Sequence, residues 1–147
     1  MSILRRYVPV LALVVVMAPF VSACGGSSKP LTKAEFLQKA NAHCSGKDSQ
    51  NLRNQLPAKP TPAQIAKLDL EKTLPLFNRE LDRIAALKPP AADRDRVEKI
   101  IEQARADADA FAKGLRKNPA EALAPGVNPF AKSNFAAKLY GLKICAS

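Results

Sequence analysis

The chain predicts an all-α fold, an antiparallel four-helix bundle with short proline-rich connections. Three observations carry this. Apolar residues recur at steps of three and four, and no run alternates with the two-residue period of a strand. Two Thr-x-x-Glu/Gln capping boxes stand directly ahead of such runs. Prolines collect where one run ends and the next begins. A three-helix bundle with a docked C-terminal arm is the nearest alternative arrangement.

The first helix starts at Lys33, because Thr32 and Glu35 form a capping box and Leu31 with Phe36 forms the hydrophobic staple around it. Its apolar stripe includes Leu37, Ala40 and Cys44. Ser45-Gly46-Lys47-Asp48 weakens the pattern, Leu52 and Leu56 resume it, and helix is expected to about residue 55. Thr61 caps the second helix, with Pro62 at its first position and Gln64 completing the box. Leu70, Leu74, Phe77, Leu81 and Ile84 form its seam, and Pro75 should kink it, since proline has no N–H and collides with the preceding turn.

Pro89-Pro90 ends this helix. Val97, Ile101, Ala104, Ala108, Phe111 and Leu115 then give the most regular period of the chain, and Arg94–Glu98, Asp95–Lys99 and Asp109–Lys113 stand at i,i+4 on its polar face. Asn118 to Gly126 reads as a loop with one turn begun by Asn118-Pro119 and Glu121. Asn128-Pro129 opens the last helix, whose Ala131, Phe135, Leu139 and Leu142 share an apolar face, and Gly141 stops it.

Ahead of this helical part lies an export signal. Arg5 and Arg6 give a positive start, Tyr7 to Phe20 an apolar stretch too short and too interrupted by Pro9 and Pro19 to span a bilayer, and small residues follow. Val21-Ser22-Ala23-Cys24 resembles the lipobox of bacterial lipoproteins, in which the cysteine thiol receives a diacylglyceryl group and the preceding peptide is removed. This resemblance divides the chain into a signal peptide at 1–23, a flexible tether at 24–30 and a helical domain at 31–147, with Cys24 as the lipidation site. Two acyl chains suit stable anchoring, each buried CH₂ contributing about 0.8 kcal/mol.

With Cys24 lipidated, Cys44 and Cys145 remain as a pair in an oxidising compartment and are expected to be bridged, the first helix to the end of the chain. Closing a loop of that length contributes roughly 4–5 kcal/mol on chain-entropy grounds. Two independent buried thiols are the competing reading. Removing Arg5 and Arg6 with the leader leaves 21 basic and 13 acidic residues, a net charge of +8. Such a domain is attracted to an anionic leaflet. Export, with no basic run and no aromatic stacking platform, argues against nucleic acid as the partner.

Lys33-Ala34-Glu35-Phe36 leading through Ala40 to Cys44, Leu81 to Ala86 with Leu87-Lys88-Pro89-Pro90-Ala91-Ala92, and Ala136-Ala137-Lys138-Leu139-Tyr140-Gly141-Leu142 before Cys145 together resemble small actinobacterial lipoproteins of uncharacterised function. The resemblance spans the mature chain. It implies an exported helical domain with a paired cysteine framework, and it assigns no catalytic residue. The Ser45-Gly46 interruption departs from the long first helix of such proteins.

Catalytic chemistry finds few parts. His43 is the only histidine and both methionines lie in the leader, so zinc and haem sites lack ligands and no metal or cofactor is expected. No nucleophile-elbow pattern surrounds a serine for His43 to serve. Glu98 and Glu102 have helical spacing for an acid–base pair, but the interleaved arginines and lysines explain them as a solvated helix face. No glycine loop cradles phosphate.

The expected function is that of a non-enzymatic binding or interaction module of the cell envelope, outside the cytoplasm and anchored through Cys24, with an anionic lipid or an envelope protein or polymer as further partner. A carrier or sensor of a small hydrophobic molecule is the alternative, and an envelope hydrolase based on His43, Glu98 and Glu102 the least supported reading. Its ligand-binding residues are not legible at this stage. Intact mass of the membrane-extracted protein should show a chain beginning at Cys24 with its acyl groups, and a gain of two hydrogens on reduction. A full-length chain with three free thiols would contradict both assignments.

Overall fold

The computed structural model describes residues 29–44, 47–143 and 145. The expected signal peptide, Cys24, and Ser45-Gly46, where the helical pattern weakens in the sequence, lie outside the described residues. Those described are helical, with no strand among them: α1 Lys33–His43, α2 Lys47–Arg53, α3 Pro62–Leu68, a π-helical segment Asp69–Thr73, α4 Leu74–Ala86, a 3₁₀ turn Ala91–Asp93, α5 Arg94–Lys117, α6 Pro119–Ala122 and α7 Ala131–Tyr140. The protein is all-α, and Cys44 and Cys145 are joined across 101 positions of sequence.

Local chemistry sets the helix ends. The Thr32 hydroxyl accepts from the Glu35 N–H while Glu35 accepts from the Thr32 N–H at 2.8 Å, and Thr61 with Gln64 repeats the box. The Asn118 side chain accepts from the Glu121 N–H to start α6. Gly141 closes α7 at φ 110°, a left-handed conformation in which a side chain is strained. The Leu31 N–H donates to the Lys88 carbonyl at 2.8 Å, tying the entry of α1 to the end of α4.

Three expectations are refined or corrected. First, the irregularity expected at Pro75 takes the form of a π segment placed just before it: helix runs without a break from α3 into α4, and the Leu74 N–H reaches the Asp69 carbonyl, five residues back. The wider turn relieves the ring of Pro75 against the preceding backbone. It also rotates the face, so that Leu68, Asp69 and Leu76 are buried while Leu70 and Phe77 are only half-buried. Second, the i,i+4 pairs of α5 do not close. The ion pair found among the described residues is Arg105 with Asp82 at 2.7 Å, between α5 and α4, and both side chains are largely exposed.

The third correction concerns α7. Ala131, Phe135 and Leu139 face outward, the latter two 66% and 63% exposed, and Ser133, Ala137 and Tyr140 face inward, followed by the buried Leu142. The cause lies on α5. Phe130, at the start of α7, offers no side-chain cap. Buried Asp107 supplies the acceptor instead: its Oδ2 takes the Ser133 N–H at 3.1 Å while Gln103 donates to Oδ1 at 2.8 Å. A carboxylate against the first turn also complements the helix dipole. At the other end Tyr140 is 2% exposed, packs edge-on against fully buried Phe36 with centroids 6.1 Å apart, and donates to Asp93 at 3.1 Å. Burial first, then the Asp93 carboxylate, push its hydroxyl to about 12, which keeps it a donor.

The core has two parts. One gathers Phe36, Leu81, Ile84, Val97, Ile101, Ala104, Ala137 and Tyr140, and the other Ala66, Leu74, Ala108 and Leu115; Phe77 packs against both.

Asp107→Ala leaves the Ser133 N–H buried and unpaired and should cost about 1–3 kcal/mol of unfolding free energy. Asp109→Ala, exposed on the same helix, should cost less than about 0.5 kcal/mol. Denaturant titration distinguishes them, and equal losses would contradict the capping role.

Candidate functional site

Between the two core parts runs an apolar cavity of about 320 Å³, walled by Phe77, Leu81 and Ile84 of α4, Ile100, Ile101 and Ala104 of α5, and Phe130, Ala137 and Leu142 around α7. Cys44 and Cys145 close one side, and Ser49, Arg53, Thr73, Glu80, Ser133 and Asn134 supply its polar positions. A second space of about 450 Å³ continues from it past Ser49, Arg53, Thr73, Phe77 and Phe130 to Ile65, Asp69, Leu74, Phe111 and Leu123. Both volumes lie in the range of small-molecule pockets.

Aromatic packing sets the shape. Phe130 touches Phe77 with centroids 5.1 Å apart and Phe111 at 5.9 Å. Phe77 and Phe130 line both spaces, and Phe111 lines the second one only. Small Ala104 and Ala137 on the facing helices leave the volume open, since neither fills the span between α5 and α7.

The polar groups are unusual for a mere packing defect. The Thr73 Oγ1 is fully buried and has the Asp69 carboxyl as its polar neighbour, at a geometry short of a well-formed hydrogen bond. Asp69, one helical turn before Thr73, is 4% exposed. Burial raises its pKa above the ordinary value of 3.8, while the nearby Thr73 hydroxyl and the charge of Arg53 pull it partly back. Glu80 is also raised, chiefly by burial and further by Asp48, against the opposing charges of Arg83 and Arg79. The surroundings therefore disfavour a negative charge at either carboxyl.

The residues considered for catalysis lie elsewhere. His43 is half-buried at the end of α1. Glu98 and Glu102 are exposed along α5, beside an open surface groove of about 730 Å³ with Arg94, Arg105, Lys88 and Leu87. They do not meet His43 in one site. Among the described residues no three His, Cys, Asp or Glu side chains are grouped to hold a metal ion, and no helix is long and apolar enough to cross a membrane. Sequence reasoning missed Asp69, Thr73 and Glu80. The one available signal was a polar Asp69 and Thr73 flanking the Pro75 irregularity, visible only once the π turn rotates them inward. No protein-family model matches this chain, and no curated protein or solved structure matches it significantly.

Asp69 has a folded-state pKa above its unfolded one, so its penalty is absent below the unfolded value and accumulates as pH rises through the folded value. Asp69→Asn should raise the melting temperature near pH 7 and leave it little changed near pH 3. A lower melting temperature for Asp69→Asn at about pH 7 would contradict this.

Proposed function

We propose that the protein is a non-enzymatic binding module of the cell envelope, held at a membrane by a lipid on Cys24, and that it holds a small hydrophobic molecule between the two parts of its core. The scaffold in this reading is an antiparallel four-helix bundle of α1, the α3–α4 run, α5 and α7, stapled from first to last element. The proposal rests on one observation above others: an apolar cavity of ligand size runs between the two parts of the core, with the buried Thr73 hydroxyl in its wall.

The chemistry of the walls defines the ligand class. Phenylalanine, leucine and isoleucine favour an aliphatic or aromatic body, which gains about 25 cal/mol per Å² of apolar surface removed from water. Thr73 and Asn134 can hydrogen-bond a polar end such as a hydroxyl or an ester, and the Glu80 carboxyl in the same wall disfavours an anion beside it. Arg53, exposed on α2, stands at the rim shared by both spaces. A tether to the membrane would keep such a module beside a reservoir of hydrophobic molecules.

Native mass spectrometry of protein extracted gently from membranes should show a non-covalent adduct of lipid mass. N-phenyl-1-naphthylamine should bind saturably, one per chain. Ala104→Leu, which fills the space between α5 and α7, should weaken that binding at least tenfold, or about 1.4 kcal/mol, with little loss of stability. Unchanged binding in Ala104→Leu would overturn the assignment, and a loss of several kcal/mol in stability would show that no space was there to fill.

A further inference from the structure

We infer that the outer face of α7 is a second, independent binding surface, and that it seats the domain on an anionic lipid surface. Phe135 and Leu139, one turn apart, stand 66% and 63% exposed and are with Val127 the large hydrophobic side chains most open to water among the described residues. No described residue covers them. They border a shallow groove of about 650 Å³ against α5, whose charged lining is Arg96, Lys99 and Lys132 against a single acid, Asp95. Lys138, exposed on α7 itself, and Lys143 just beyond it extend the positive rim.

The occupant follows from this composition. Protein interfaces are depleted of lysine, because a lysine buried against a partner must shed its water. At a lipid surface the same residue keeps its ammonium among phosphates while its stem covers apolar surface. Two large apolar side chains inside a ring of cations are the pattern of an interfacial element that enters the headgroup layer shallowly. Lys33 at the start of α1 lies 4.7 Å from the centre of the Tyr140 ring and Arg96 lies 5.5 Å from it, which places two cations near the C-terminal end of α7. Residues 30 and 31 leave on the α4–α5 side, with Pro30 beside Leu87, Lys88 and Arg94 and the Leu31 N–H on the Lys88 carbonyl. Cys24 is five positions before Lys29, a reach of about 17 Å when extended. The face needs neither a lipid on Cys24 nor a ligand in the cavity to meet a bilayer.

The chain has no tryptophan, so a single one reports cleanly. Full chains carrying Phe135→Trp, Leu139→Trp or, exposed on α6 outside both spaces, Ala120→Trp are mixed with vesicles of phosphatidylcholine alone or of equal parts phosphatidylcholine and phosphatidylglycerol, with brominated acyl chains as quencher. Every variant carries the same leader, which makes the comparison one of position. Tryptophan at 135 and 139 should shift to the blue and be quenched with phosphatidylglycerol, severalfold more than at 120. Lys99→Glu, Lys132→Glu and Lys138→Glu together should abolish that excess. Equal quenching at all three positions would overturn the inference. So would a blue shift that grows with protein concentration without vesicles, which would assign the face to a second copy of the chain.

Discussion

The rotation of α7 about its own axis is the constraint from which the rest of the molecule follows, and Asp107 sets it. A helix that begins without a side-chain cap must find acceptors for its first N–H groups elsewhere. Here a buried carboxylate on α5 takes the Ser133 N–H. Once that bond is made, Ala137 and Tyr140 turn inward, and Phe135 and Leu139 turn out. Leaving those two outside forgoes roughly 1.5–3 kcal/mol each. Burial of Tyr140 regains a similar amount, its hydrogen bond to Asp93 adds about 1 kcal/mol, and its edge-on contact with Phe36 adds about 0.5–1.5 kcal/mol. The inward Leu142, placed by the turn at Gly141, completes the exchange.

Both candidate surfaces are consequences of that choice. With alanine rather than phenylalanine facing α5, the space between the helices stays open and the cavity exists. With Phe135 and Leu139 on the outside, an apolar face remains inside a ring of cations. A packing rotated to bury every large side chain would have neither. The disulfide then fixes the exit of α7 to the end of α1, so that the walls beside Cys44 and Cys145 are held at a distance set by covalent bonds rather than by packing alone.

Much of the fold was legible because its signals are local. The Thr32 and Thr61 boxes, Pro62 at N1, the one-turn helix after Asn118 and the Gly141 stop all act within four residues of themselves, and each is where the sequence places it. The regular period of α5 likewise marks Val97, Ile101, Ala104, Ala108 and Leu115 as core. What was not legible depends on contacts between elements. The α7 face was misassigned because apolar spacing ranks Phe135 and Leu139 above Ser133, and only the distant Asp107 reverses the order. The cavity residues Asp69 and Thr73 were hidden by a π turn, which adds a residue to the repeat and shifts everything before Pro75. The i,i+4 ion pairs of α5 stayed open, as exposed charges often do when water competes for them.

Hydroxyl-radical footprinting of the folded protein in vesicle-free solution reads the rotation of α7 side chain by side chain. Rapid oxidation of Phe135 and Leu139 beside slow oxidation of Tyr140 and Phe36 is the predicted pattern, and Asp107→Ala should narrow the difference. Tyr140 oxidised as fast as Phe135 would show that α7 packs on its other face, and the cavity and the proposed membrane-binding surface would fall with it.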